Sequence, residues 1–345
     1  MIPALSGHRG LLRLRRHSRP AAVAAIAALA LVVAGCSSSK NTGGTTEDGL
    51  TVINLSNTVI VGDEVPLVYA NATNLWKQFG LKVNMINVTS SAQFSGLGSG
   101  QADIALGGAA GIAAAQKGAP VKIIGSIGRV RMDFLAQEEI KSVEDLRGKT
   151  LGASSPGSLL GAGQQLYLKE HGLNYPGDYK IVYTSGSFPA VITALVNKQT
   201  QANFAAHPYI DIATKGNPTL HALDRIDKTD LGIITANVAT VNTKWAATHK
   251  DAVTKFFQVW AEASKQVKTH LKETAGYLAS AAKITPEIAT IWVNDQAALD
   301  GFAPFSEDDF AITIRALSIS NPAVSSATFA KSVDNTYADA AVAST

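Results

Sequence analysis

The sequence predicts an α/β protein of two lobes on a like plan, followed by a helical C-terminal stretch. Three observations predict it. Short apolar or β-branched runs alternate with helical stretches from residue 50 to about residue 234. Words from the first half return at a nearly fixed offset in the second. Beyond Ile234 the strand pattern gives way to helices alone.

The elements follow in order. Leu50–Leu55 reads as a strand, being short, apolar and β-branched. Pro66 suits a first helical turn, and the helix runs from Leu67 to Phe79, stopped by Gly80. Leu81–Val88 alternates at its start and reads as a strand. Gln101–Leu106, Val121–Gly125, Thr150–Ala153, Lys180–Tyr183 and Gln201–Ala206 are further strands. Such alternation argues for parallel sheets. Asp251–Leu271 is a long helix whose Val253, Phe256, Phe257, Trp260, Ala263 and Val267 share one buried face. Helices follow at 273–282, 286–299 and 307–319, with Thr285 as a cap before Pro286.

The echo is specific in order. Gln101-Ala102-Asp103-Ile104-Ala105 returns as Gln201-Ala202-Asn203-Phe204-Ala205. Lys117-Gly118-Ala119-Pro120 returns as Lys215-Gly216-Asn217-Pro218, and Lys82-Val83 as Lys180-Ile181. Two lobes built alike would present loops at equivalent strand ends, where ligands of such sheets sit.

A chain of 345 residues has room for about two domains at roughly 150 residues each. With 46% hydrophobic and 17% charged residues, wholesale disorder is excluded. One cysteine excludes a disulfide framework within the chain and a cysteine-rich metal site.

The N-terminus reads as an address. Arg9, Arg13, Arg15, Arg16 and Arg19 precede an apolar run, Ala21 to Ala34, and residues 1–35 hold no acid. The run falls short of the roughly 20 residues that span a bilayer, so residues 1–35 are expected to be a signal peptide. Val33-Ala34-Gly35-Cys36 resembles the bacterial lipobox, which implies lipid on Cys36 and attachment to a membrane. Residues 36–49 are then a flexible Ser/Thr/Gly tether. Without the five arginines, 25 basic residues face 27 acidic ones. That near balance gives no compositional support to nucleic-acid binding.

Searches for catalytic motifs fail. The histidines of the mature chain have no metal-ligand spacing. No phosphate loop or dinucleotide fingerprint is present, and Gly152-Ala153-Ser154-Ser155-Pro156 has Pro where a nucleophile elbow needs Gly. What remains is a set of small polar loops at strand ends. They are Ser56-Asn57-Thr58, Thr89-Ser90-Ser91, Gly107-Gly108-Ala109, Ser154-Ser155-Pro156-Gly157-Ser158 and Thr184-Ser185-Gly186-Ser187. Their hydroxyls and the free N–H groups of the helices they open suit a small anion.

Gly80-Leu81-Lys82-Val83, Gly100-Gln101-Ala102-Asp103-Ile104-Ala105, Lys117-Gly118-Ala119-Pro120-Val121-Lys122 and the run Ile140 to Lys149 come in one order. Together they resemble the nitrate, sulfonate and taurine type of ABC-importer substrate-binding proteins, which also include binders of thiamine precursors. The resemblance implies a type II periplasmic-binding fold, two α/β lobes joined by crossovers near Gly128–Phe134 and Gly232–Asn237. Lobe 1 would comprise 50–130 and 235–345, and lobe 2 would comprise 131–234. It further implies a receptor, not an enzyme, held by lipid on the extracytoplasmic face of a bacterial membrane. Such a receptor is a monomer without cofactor or metal that hands a small solute to an ABC permease. The family often carries Trp-Glu-Pro-Tyr where this chain has Ala206-His207-Pro208-Tyr209, so one stacking aromatic is lost. His207 and Tyr209 join the loop residues as candidate ligand contacts.

The ligand class stays open between alternatives. Serine-rich helix N-termini suit sulfonate, nitrate or carboxylate. Asp63 and Glu64 are either solvated acids or partners of an amine, as in taurine or an aminopyrimidine. Arg129 and Arg131 either pair with an anion or bridge the lobes. An enzyme on the same fold is the rival reading, and His207 is the histidine it would use.

Overall fold

The computed structural model describes residues 44–344 except 47, 59, 61, 108, 185–187, 233–235 and 300. The signal-peptide reading and Cys36 lie outside the described residues. The expected tether is already folded where its description begins. Val52 donates to the Gly44 carbonyl, and Leu50 donates to the Thr46 hydroxyl.

The strands are β1 Thr51–Asn57, β2 Leu81–Asn87, β3 Ile104–Gly107, β4 Val121–Arg129, β5 Met132–Ala136, β6 Thr150–Ala153, β7 Lys180–Tyr183, β8 Ala202–Ala206, β9 His221–Arg225 and β10 Ala236–Asn242. The helices up to the second half are α1 Val65–Ala72, α2 Leu75–Gln78, α3 Ser90–Ser99, α4 Gly111–Gln116, α5 Leu159–Glu170, α6 Phe188–Val196 and α7 Tyr209–Gly216. Then come α8 Thr243–Thr248, α9 Lys250–Thr269, α10 Leu271–Ala282, α11 Pro286–Ala297, α12 Glu307–Ser320, α13 Phe329–Ser332 and α14 Thr336–Val342. The expected helix from Leu67 to Phe79 is two helices, because Asn74 turns left-handed at φ 54°. Asn tolerates that conformation better than most residues. Thr285 caps α11 as expected, its hydroxyl accepting from the Ile288 N–H.

Two five-stranded sheets form, in the orders β2-β1-β3-β10-β4 and β7-β6-β8-β5-β9. They are mixed, where alternation alone predicted parallel ones. β10 runs antiparallel to β3 and β4, and β5 runs antiparallel to β8 and β9. The cause is the crossing of the chain. β5 enters the second sheet directly after β4 leaves the first, and β10 returns the chain to the first sheet. Each arriving strand inserts between two strands of its host that run the other way.

The two orders are one order. β2, β1, β3, β10 and β4 take the places of β7, β6, β8, β5 and β9. The echoed words fall at equivalent places. Lys82-Val83 and Lys180-Ile181 lie in the edge strands β2 and β7. Ile104-Ala105 and Phe204-Ala205 lie in the central strands β3 and β8. The Lys-Gly-x-Pro turns precede β4 and β9.

Helices cover both faces of each sheet, as burial of apolar strands on both sides requires. On the first sheet, Ile53, Leu55 and Ile104 join α1 and the aromatic face of α9 in one core. Gly125 in β4 permits this contact. Its φ is 154°, and a Cβ there would lie 2.9 Å from Phe257 and 3.0 Å from Ala338. On the second sheet, Phe134, Leu151 and Phe204 join α5, and α12 lies against α5.

One link positions the site. β4 ends at Arg129 and β5 starts at Met132, so Val130 and Arg131 alone separate them. The end of β4 lies at the same edge as the ends of β1, β2 and β3. The start of β5 lies at the same edge as the ends of β6, β7, β8 and β9. The strand ends of both sheets therefore meet at this crossing.

Candidate functional site

On the first sheet, the expected residues lie at strand ends, with Ser56, Asn57 and Gly107 inside the strands and not in the loops after them. Ser56 and Asn57 close β1 and are buried. The Thr58 N–H donates to Asn57 Oδ1 at 2.7 Å. Ser90 and Ser91 open α3. Gln93 of the same helix donates to the carbonyls of Ser56 and Leu106, tying the ends of β1 and β3. Gly107 makes room for it, since a Cβ there would sit 2.9 Å from Gln93 Oε1. Gly108 lies outside the described residues.

Asp63 and Glu64, left open between surface and site, are buried at 0% and 1% exposure. Asn57 Nδ2 donates to Glu64 Oε2 at 2.8 Å. Asn237, near the start of β10, donates to Asp63 twice, from its backbone N at 3.1 Å and its side chain at 3.0 Å. Burial outweighs these bonds and pushes the Asp63 carboxyl up to about 7. Neither acid is the solvated group that one sequence reading allowed.

On the second sheet, Ser154 and Ser155 follow β6, and Ser158 caps α5. The Ser158 Oγ accepts from the Gly161 N–H at 3.2 Å. Ser185 lies outside the described residues. His207 follows β8 and is 2% exposed. Tyr209 opens α7, and burial together with nearby Glu64 pushes its hydroxyl up to about 12. The start of α7 thus faces the start of α1 from the other sheet.

Around His207 stands a charged cluster that spacing could not assemble. His207 Nδ1 lies 2.6 Å from Asp211 Oδ2, one helical turn on. Its Nε2 lies 4.0 Å from Asp133 Oδ2, at the start of β5. Asp295, carried by α11, reaches within 3.8 Å of His207 Nδ1 and 3.5 Å of Arg131 Nη1. Arg131 also lies 3.7 Å from Asp133. Arg225 pairs with Asp227 at 2.6 Å and approaches Asp133 at 4.0 Å. Burial raises the Asp133 carboxyl above its ordinary range, against the pull of Arg131, His207 and Arg225.

Both arginines weighed as anion partners are engaged. Arg129 pairs with Asp309 at 3.5 Å on the surface, and Arg131 bridges to Asp295. The structure therefore favours the bridging alternative for Arg131, while both members of the Arg129–Asp309 pair lie in the ranges expected for lobe 1. Asp133, Asp211 and Asp295 are the residues that sequence reasoning missed. One signal existed: Asp133 is a lone acid inside the apolar run Met132-Asp133-Phe134-Leu135-Ala136.

The sequence pattern of the NMT1/THI5-like family matches residues 62–273. The chain belongs to that family. A search of curated proteins returns no match. Among solved structures, the chain is similar to the alkanesulfonate-binding protein SsuA from Xanthomonas axonopodis pv. citri bound to MOPS. The two share 16% identity, with 82% of this chain and 98% of that one covered at a TM-score of 0.69. It is also similar to the periplasmic nitrate-binding protein NrtA from Synechocystis PCC 6803, at 11% identity, 87% and 90% coverage and a TM-score of 0.70. A third similar structure is the desulfurization enzyme DSZB, at 14% identity, 85% and 100% coverage and a TM-score of 0.60. At such identities the likeness establishes the fold, that of periplasmic binding proteins. The same fold carries binding proteins and an enzyme, so the site must decide the function.

Proposed function

We propose that this NMT1/THI5-like protein is the extracytoplasmic solute receptor of an ABC importer. The observation that carries the reading is the meeting of two like-ordered sheets, strand ends first, at a two-residue crossing. A small solute held there contacts both halves, and its binding favours the arrangement in which they close upon it. The halves would be lobe 1, residues 50–130 and 235–345, and lobe 2, residues 131–234, with α12 of the first range packed on α5 of the second. Lipid on Cys36 would hold the protein at the membrane beside its permease. The N-termini of α3 and α5 support a small anionic group of sulfonate or nitrate type. The acids round His207 support an amine on the same or another solute, as in taurine or an aminopyrimidine.

The enzyme reading has less behind it. His207 has an orienting carboxylate in Asp211, as a general base would. Yet the described side chains within 4.0 Å of its ring nitrogens in ion pairs are carboxylates, which are poor partners for a base needing a nucleophile.

The test is thermal unfolding of the full chain with nitrate, alkanesulfonates, taurine, an aromatic carboxylate and an aminopyrimidine, each recovered afterwards and weighed by mass spectrometry. A receptor gains about 2.7 kcal/mol from a solute at 100 times its dissociation constant, which is several degrees. The solute returns unchanged. Conversion of any solute, lost in His207→Ala, would overturn the receptor reading. In bacterial cells producing the full chain, Cys36→Ser should leave the membrane fraction; retention there would overturn the anchor.

A further inference from the structure

We propose that Asp133, Asp295 and the Nε2 of His207 form a subsite that recognises a positively charged nitrogen of the solute, an alkylammonium or an amidinium. The inference rests on the receptor reading and deepens it.

Charge count comes first. Asp133, Asp211, Asp227 and Asp295 gather with Arg131 and Arg225 as the fixed cations. With His207 neutral the cluster carries two negative charges in excess, and with His207 protonated it carries one. Unbalanced charge beneath a protein surface is costly unless a partner of opposite sign arrives. An anion would worsen the imbalance, while a cation would relieve it.

Unused bonding capacity comes second. Asp133 Oδ1, His207 Nε2, Asp295 Oδ2 and Arg131 Nε are each covered by the protein and make no hydrogen bond within it. The side chains of His207 and Asp133 are 3% and 4% exposed. The approaches among these four residues run from 3.5 to 4.0 Å, which is ion-pair range and beyond a good hydrogen bond. The tight contact of His207, Nδ1 to Asp211 at 2.6 Å, fixes the ring. With that nitrogen donating to Asp211, a neutral ring presents Nε2 as an acceptor. One imidazole nitrogen and two carboxylate oxygens, which face Arg225 at 4.0 Å and Arg131 at 3.5 Å without a hydrogen bond, then have bonding capacity left for donors. A nitrogen cation offers two or more N–H groups and a charge together, whereas a sulfonate or nitrate offers neither.

Placement comes third. Asp133 starts β5, His207 follows β8, and Asp295 comes from α11, whose Trp292 and Val293 lie in the core of the first sheet. The subsite therefore has walls from both halves. Asp295 at 33% exposure forms its rim, and Asp133 and His207 form its floor.

The test uses the full chain and solutes in pairs that differ by one amino group: taurine against ethanesulfonate, an aminopyrimidine against the pyrimidine, and benzylamine against toluene. Calorimetry and thermal midpoints are read for each. The expected result is that at least one nitrogen-bearing member binds about tenfold or more tighter than its counterpart. That preference falls about tenfold in Asp133→Asn. Asp295→Asn, at the more exposed rim, perturbs the fold less than Asp133→Asn and should lose several-fold. The subsite is overturned if the nitrogen-free members bind as well, or if neither variant changes the preference. Anions binding alone would remove the subsite and leave the receptor standing. No binding by any solute would remove both.

Discussion

At the end of β1, Asn57 gives an amide hydrogen to Glu64, and near the start of β10 Asn237 gives two to Asp63. At the matching edge of the second sheet the Met132 backbone N–H donates to Asp227 at 3.4 Å, but among the described residues no Asn or Gln side chain plays that part. There Asp133, His207 and Asp295 face one another with arginines between them, mostly at ion-pair distance. The strand order is shared, yet side-chain amides close one edge, while the other is held by charged groups that are only partly hydrogen-bonded to one another. A closed hydrogen-bond pattern is a finished piece of structure. A charged one with unused atoms is open to a partner. Repetition of a fold therefore supplies equivalent positions, and the side chains placed there decide which copy does the recognising.

Three experiments test this contrast. The largest effect concerns pH. Asp63 holds its proton up to about 7 in the folded chain, against an ordinary value of 3.8. The folded state then binds a proton that the unfolded chain has released. Stability from this group is full below its ordinary value and is lost as pH rises through about 7. Unfolding free energy should fall by several kcal/mol across that window, and Asp63→Asn should remove the upper part of the slope. Asp103, raised to about 6 by burial, keeps a lower part of it. An identical slope in the variant would break the assignment.

A smaller effect is expected from Asn57→Leu, which leaves the buried Glu64 carboxyl short of a donor. A loss of about 1–3 kcal/mol in urea unfolding is expected. An unchanged midpoint would mean that the first edge does not depend on its amides. The smallest belongs to Lys215→Ala. Its pairing with Glu287 at 2.6 Å joins α7 to α11 but lies in solvent, with side chains 60% and 74% exposed. At 0.15 M salt no shift in midpoint should be measurable. A clear shift would show that exposed charge also holds the two halves together.

Much of this architecture was legible in the sequence. Seven strands and the aromatic face of α9 follow from period and composition, because burial on one face or both writes itself locally. β5, β9 and β10 did not. β5 abuts β4 with two residues between them, so two strands read as one crossing. β9, His221-Ala222-Leu223-Asp224-Arg225, carries little apolar signal, and β10 is interrupted by Asn237 and Thr240. The site was legible in half. Ser56, Asn57, Ser158 and His207 lie at strand ends or helix starts, where turn chemistry marks them. Asp133, Asp211 and Asp295 gain meaning only from the crossing that brings three distant segments to one edge.

Helix α11 deserves a last practical consequence. It buries Trp292 and Val293 against the first half while holding Asp295 out to the second. The family match stops at residue 273, short of this helix. An expression fragment trimmed to the matched boundaries would lose part of its core and one wall of the charged cluster. Solute screens on such a fragment would report on a chain that lacks Asp295. Anyone choosing cloning boundaries for relatives of this chain should carry the gene on through the helix that follows Pro286.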